Sequence, residues 1–184
     1  MTLTHQPAVL LPPPARGRVL TLRRRLGADL GVAVARLAAG FDPALGAFGL
    51  GSPLTRALGV DVAGLRPFPS LDAPFEIPVT QGDLWLSLRG ADATELFDRG
   101  EAVAALLGED FAIEDAKETF HYAGGRDLTG YEDGTANPPA EEAEAVAICG
   151  ADTVLPGSSF VAVQRWVHDL SAFRRRSEIG RAHV

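Results

Sequence analysis

Between Gly17 and Tyr122 the chain switches twice from a β-prone apolar stretch to a helix-periodic stretch and back, an order that few folds accept. Gly17 to Leu22 carries Val19, Leu20 and Leu22 and reads as a first strand. Asp29 to Ala39 places Leu30, Val34 and Leu37 at i, i+4 and i+7, one apolar face of a helix that Gly40 ends. Ala47–Leu50 reads as a short second strand, after which Ser52 caps a short helix with Pro53 at its first position. Gly64 to Pro78 holds four prolines and is a surface loop. Asp83 to Leu88, with Leu84, Trp85, Leu86 and Leu88, reads as a buried strand. Asp92 to Leu107 is the clearest helix, with Leu96, Val103, Leu106 and Leu107 on one face and Asp92 as N-cap. Phe111 to Tyr122 closes the series as a long strand.

Strand–helix–strand followed by strand–helix–strand is the ferredoxin-like βαββαβ pattern, and the class is α+β. Two apolar helices can cover one face of an antiparallel four-stranded sheet and leave the other face for something else. The 184 residues are 46% hydrophobic and 22% charged, enough for one good-sized core or two small ones. A net charge of −7 argues against a nucleic-acid or anionic-membrane surface. No apolar run reaches the length of a membrane span. The N-terminus lacks the basic and apolar regions of a signal peptide, and the single cysteine, Cys149, has no partner for an internal disulfide. A reducing, cytoplasmic setting is the expectation. Arg23, Arg24 and Arg25 read as a solvated strand end rather than an anion site. Gly49-Leu-Gly-Ser-Pro lacks the lysine and spacing of a phosphate loop.

After Tyr122 the composition changes. Gly124 to Pro139 packs four Gly, two Pro and three acidic residues into sixteen positions, which is loop chemistry. Gly130 and Gly134 flank Asp133, so the backbone there can take φ > 0 and approach a bound group closely. One reading makes Asp133 and Asn137 simple turn formers that hydrogen-bond their own backbone. Another makes Asp133 an acid, base or ligand presented from the turn. A third places a cation at Asp127, Glu132 and Asp133, although that spacing fails the calcium-loop pattern.

The string Arg126-Asp-Leu-Thr-Gly-Tyr-Glu-Asp-Gly-Thr-Ala-Asn-Pro138 resembles the G-x-x-D-G signature region of dye-decolourising haem peroxidases, nearest the bacterial class labelled B or P. Two further stretches, Pro78 to Gly90 and Gly157 to Leu170, resemble that family's strands in the same order and spacing, so the likeness spans roughly Gln6 to Phe173. The resemblance implies two ferredoxin-like domains, haem b as cofactor, and hydrogen peroxide with a small reductant such as a dye or phenol as substrates. It also implies a homo-oligomer when full length, with no nucleic-acid or membrane partner. Asp133 corresponds to the distal aspartate, which moves a proton between the oxygens of bound peroxide, with Gly134 and Thr135 along the haem face and Asn137 fixing the loop. Ala136 stands where many relatives have Glu, which weakens any acidic haem-edge site.

On this reading residues 6–123 form the first ferredoxin-like domain and 124–157 the signature loop with its connector, including a short helix within Ala140–Ala147. Residues 158–177 begin a second domain, with Ser158 to Val167 as its first strand. Glu178-Ile-Gly-Arg-Ala-His-Val184 matches one translation frame of a widely used DNA sequencing adapter, so residues 178–184 are expected to be adapter read-through. His183 sits too close to Asp133 to match the family's proximal haem histidine, and His121 and His168 read as structural residues rather than iron ligands. The proximal histidine and distal arginine are expected beyond Ser177. The chain as written is therefore expected to bind haem weakly or not at all, with negligible turnover. The alternative is a cofactor-free ferredoxin-like binding or dimerisation module.

Overall fold

A computed structural model describes residues 4–73, 77–132 and 134–176. Its regular elements are β1 (Arg16–Arg24), α1 (Leu30–Gly40), β2 (Gly46–Leu50), α2 (Ser52–Ala57), β3 (Leu84–Gly90), α3 (Ala93–Leu107), β4 (Phe111–Phe120), α4 (Ala143–Ala147) and α5 (Leu170–Arg175). β1 to β4 form one sheet in the order β2-β3-β1-β4, with every neighbouring pair antiparallel. This is the ferredoxin-like α+β arrangement: each helical crossover skips one strand, β3 lying between β1 and β2 and β1 between β3 and β4.

The two long helices form where the sequence supplies both a face and a start. Asp29 caps α1 by accepting the Val32 N–H at 3.1 Å, and α1 buries Ala33 and Leu37. Asp92 caps α3 by accepting the Glu95 N–H at 2.9 Å, while the Glu95 carboxylate accepts the Ala91 N–H at 2.6 Å. This reciprocal pattern is close to a capping box. Asp92→Ala is expected to cost about 1 kcal/mol. It would be read as a lower urea midpoint at unchanged slope, and an unchanged midpoint would show that the cap contributes nothing.

The core lies between the helices and one face of the sheet. Leu84, Leu86 and Leu88 alternate with half-buried Trp85, Ser87 and Arg89, so β3 is a one-sided strand rather than one buried on both faces. Leu20 stands opposite Leu86 and Leu22 opposite Leu84, so β1 adds its leucines to the same layer. Leu37, Leu54, Leu96, Val103 and Leu107 close it from above. The other sheet face carries Val19, Thr21, Trp85 and Ser87, all half-buried.

Three expectations need correction. Ser52 does not cap α2. It is the buried first residue of the helix, and Gly51 occupies the cap position with no side-chain bond. A Cβ on Gly51 would fall 2.0 Å from the Gly82 carbonyl oxygen, so the close approach of β2 to the start of β3 demands glycine there. The basic triplet is only partly a solvated end. Arg23 is exposed and meets Glu114 at 2.9 Å, but Arg24 turns inward to the buried carboxylate of Asp83. Ser158 to Val167 forms no strand: the segment pairs with no other strand among the described residues, and a strand needs a ladder partner for its N–H and C=O groups. The chain instead enters α5, whose N-cap Asp169 accepts the Ala172 N–H at 2.8 Å.

Candidate functional site in the loop after the sheet

β4 ends in a sharp reversal. Ala123, Gly124 and Gly125 take φ of 43°, 75° and 103° in succession, and Tyr122 O accepts the N–H groups of Gly125 and Arg126 at 3.0 and 3.1 Å. The chain then folds back on itself. Gly130 N–H donates to Asp127 O at 3.0 Å and Asp127 N–H to Tyr131 O at 3.0 Å, so residues 127–130 form a tight turn. Asp127 opens that turn and Gly130 ends it at φ 94°. The Asp127 carboxylate accepts the backbone N–H of Thr129 at 2.8 Å and also its hydroxyl. Arg126 donates from Nη1 to Gly130 O at 2.9 Å and from Nη2 to Glu132 Oε1 at 3.2 Å. The Tyr131 ring meets Phe173 of α5 edge to face, with centroids 6.1 Å apart.

Asp127 is held below the usual carboxylate range, first by the Thr129 hydroxyl bond and then by the N–H groups around it, with partial desolvation opposing them. A pKa lowered in the folded state gives the turn a stabilisation that is present above the unfolded value, about 3.9. That stabilisation is lost as pH falls through the lower folded value. Thr129→Val is expected to bring the carboxyl back toward its ordinary value in a carboxyl-carbon NMR titration. An unmoved titration would show that the hydroxyl is not the cause. Asp115, on β4, is also lowered, chiefly by its hydrogen bond from Lys117, with the charge of Arg165 adding to it.

Asp133, the residue singled out in the sequence, lies outside the described residues. Gly134, Thr135 and Asn137 fall within one turn, closed by the Asn137 N–H donating to Gly134 O at 3.0 Å. Gly134 has φ 71°, and a Cβ there would lie 2.7 Å from Asn137 Nδ2, so the Asn137 side chain packs over the glycine. Gly134, Thr135 and Asn137 are all exposed. The turn offers one hydroxyl and one side-chain amide beside its glycine. It does not suit axial ligation of haem iron by imidazole or thiolate, since Gly124 to Pro139 contains neither His nor Cys.

Of the three cation candidates, Asp133 lies outside the described residues. Asp127 is occupied by Thr129 and Glu132 by Arg126, and among the described residues no group of three ligating side chains converges. His121 and His168 are exposed on the surface, and His183 lies outside the described residues. Sequence reasoning missed the Arg126–Glu132 pair, the Asp127–Thr129 turn and α5. The turn was discoverable, because Asp three positions ahead of a closing Gly is the composition of such a turn.

The family described as "Dyp-type peroxidase, C-terminal" matches residues 124–179, the stretch that contains this loop. A dye-decolorizing peroxidase of Mycobacterium tuberculosis is 32% identical over 115 residues, covering 61% of this chain and 34% of that protein. One from Rhodococcus erythropolis is 35% identical over 111 residues, covering 59% and 33%. Among solved structures, a DypB variant from Rhodococcus jostii RHA1 in complex with heme is 29% identical, with a TM-score of 0.66 over 82% of this chain and 54% of that one. The matches thus take in about a third of the curated relatives and about half of the solved chain.

Proposed function

We propose that the chain belongs to the Dyp-type peroxidase family and is the sheet-and-loop portion of a haem-dependent peroxidase acting on hydrogen peroxide. The observation that supports this most is that the family match, residues 124–179, covers the exposed turn Gly134–Asn137 and the loop that leads into it. Haem b, when bound, supplies the redox chemistry, and the R. jostii relative is seen with heme. Gly134 and Thr135 would lie against the ring, and Asn137 would hold the turn closed.

Asp133 would serve as the proton carrier. Its carboxylate would take the proton from one oxygen of hydrogen peroxide and deliver it to the other, so that the departing oxygen leaves as water. Cleaving the O–O bond takes two electrons, which bound haem would supply and a dye, phenol or similar small donor would restore, the second oxygen also ending as water once two protons are taken up. The 184 residues supply this aspartate but no residue matched to the proximal histidine or distal arginine. By themselves they are expected to bind haem weakly and to turn over negligibly. The assembled enzyme would be a cytoplasmic homo-oligomer. No helix among the described residues is long and apolar enough to cross a membrane.

A second reading is a cofactor-free binding or dimerisation module. It is favoured by the exposed run Phe160, Val161, Val163, Trp166 and Val167, which offers apolar surface to a partner. An optical titration with ferric haem separates the two. Weak but saturable spectral change without histidine ligation is expected, and no change at any concentration would favour the module. Stoichiometric binding with a histidine-ligated spectrum would contradict the view that these residues lack the proximal ligand.

A further inference from the structure

Gln6 stands 42 positions before Phe48 and binds both of its backbone groups. Its side-chain amide donates from Nε2 to Phe48 O at 2.7 Å, and its Oε1 accepts the Phe48 N–H at 2.9 Å. A donor and an acceptor side by side are what the peptide groups of a neighbouring strand would offer there. Phe48 is the middle residue of β2, and β2 is the outermost strand on its side of the sheet.

The local chain explains how the amide comes to lie on that edge. Pro7 opens a short 3-10 helix, Pro7–Val9, and Gln6 O accepts the Val9 N–H at 3.1 Å. The Gln6 carbonyl is thereby taken up by the turn, and its side chain is left for β2. Just before it, the chain passes close to Gly157, where a Cβ would fall 2.3 Å from Thr4 O. Residues 4–9 are thus fitted between the β2 edge and Gly157.

The two edges of the sheet are protected by different means. An open strand edge pairs with another chain unless charge, proline or a covering segment prevents it. β4, at the far edge, carries Glu114, Asp115, Lys117 and Glu118. β2, Gly46-Ala-Phe-Gly-Leu50, carries neither charge nor proline, so nothing of its own repels a partner. The partner that fits it best is a second copy of itself. Antiparallel pairing centred on Phe48 sets Gly46 against Leu50 and Ala47 against Gly49. Each Phe48 then exchanges N–H and C=O bonds with the other, through the same two groups that Gln6 now holds.

We propose that Gln6 is an edge guard: its amide takes the place of a neighbouring strand at Phe48 and keeps the β2 edges of two copies from pairing. The guard works whether or not haem is bound.

The test uses the isotope-labelled 184-residue chain, the variants Gln6→Ala and Gln6→Glu, and Gln6→Ala combined with Gly49→Lys. A Cβ at Gly49 would meet the Trp85 ring at 3.6 Å, an ordinary contact, so lysine fits and puts a charge on the strand. In dilute Gln6→Ala the Phe48 amide is expected to exchange about tenfold faster, the weight of one hydrogen bond. As concentration rises, light scattering is expected to show Gln6→Ala approaching about twice the wild-type mass, while the Leu50 amide gains protection. Gln6→Glu keeps an acceptor for the Phe48 N–H and adds a charge, and both it and the double variant are expected to keep the wild-type mass. The Leu86 amide is expected to stay unchanged throughout, which shows that the sheet remains folded. Unchanged Phe48 exchange in Gln6→Ala overturns the guard. Faster exchange with wild-type mass at every concentration overturns pairing between copies. A rise in mass that Gly49→Lys does not reverse puts the association on another surface and overturns the proposal as well. Loss of Leu86 protection in Gln6→Ala would make Gln6 a contact that the fold itself needs, with the same consequence.

Discussion

Replacing Leu86 with alanine is expected to destabilise the sheet domain by about 3–4 kcal/mol. Leu86 is fully buried at the centre of β3 and stands opposite Leu20 on one side and Phe48 on the other. Truncation removes the transfer free energy of the lost carbons and leaves a cavity that three strands and two helices cannot all collapse into. Since small domains have only about 5–15 kcal/mol in hand, most of the working margin disappears. Urea unfolding followed by Trp fluorescence would read it as a lower midpoint at the same slope. Val32, exposed on α1, is the control, and Val32→Ala is expected to stay within about 0.5 kcal/mol. Equal effects at the two positions would mean that the helices do not pack on the Leu86 face.

The second large effect is expected at Arg24. The Asp83 carboxylate has only 4% of its side chain exposed, and it accepts the Arg24 backbone N–H at 2.9 Å together with the Arg24 guanidinium. Arg24 also donates to Pro53 O at 3.1 Å, so one side chain ties β1 to the start of β3 and to α2. Arg24→Met leaves the buried carboxylate with a backbone donor and no cation. Breaking a buried pair by removing one partner costs about 3–5 kcal/mol, and the 37% exposure of the arginine side chain moves the expectation to the lower end, about 2–3 kcal/mol. Arg24→Met combined with Asp83→Leu is expected to recover most of that loss, because the stranded charge is then gone. A double variant as unstable as the single one would show that packing, rather than the unpaired carboxylate, carries the effect.

The fold was legible because its signals are local and repeated. Asp92 announces its helix by residue type and position and caps as expected, and Asp29 proves to cap α1 in the same way. The leucines of β1 carry a period of two that sets which face is inward, whereas Trp85 among the leucines of β3 made that strand read as buried although it too is one-sided. What was not legible depended on contacts distant in sequence. Nothing near Arg24 in the chain announces Asp83, which lies 59 positions away. Nothing near Gly51 announces the Gly82 carbonyl that excludes a side chain there. Ser158 to Val167 shows the opposite case: its composition is that of a strand, but a strand exists only with a neighbour to bond.

The loop divides along the same line. Its glycines at 124, 125, 130 and 134 all take positive φ, as their residue type suggested. The partners of its charged side chains were not foreseen. Asp127 and Glu132 looked like candidate ligands in the sequence, and they are instead engaged by Thr129 and Arg126.

The central claim is that the turn after the sheet faces haem, and residue-by-residue mapping of ferric haem on the labelled chain tests it most directly. The account predicts that paramagnetic broadening begins at Asp133, Gly134, Thr135 and Asn137 and leaves the leucines of β1 and β3 sharp. Broadening that begins at His121 or His168, or along the exposed apolar run from Phe160 to Val167, would contradict it.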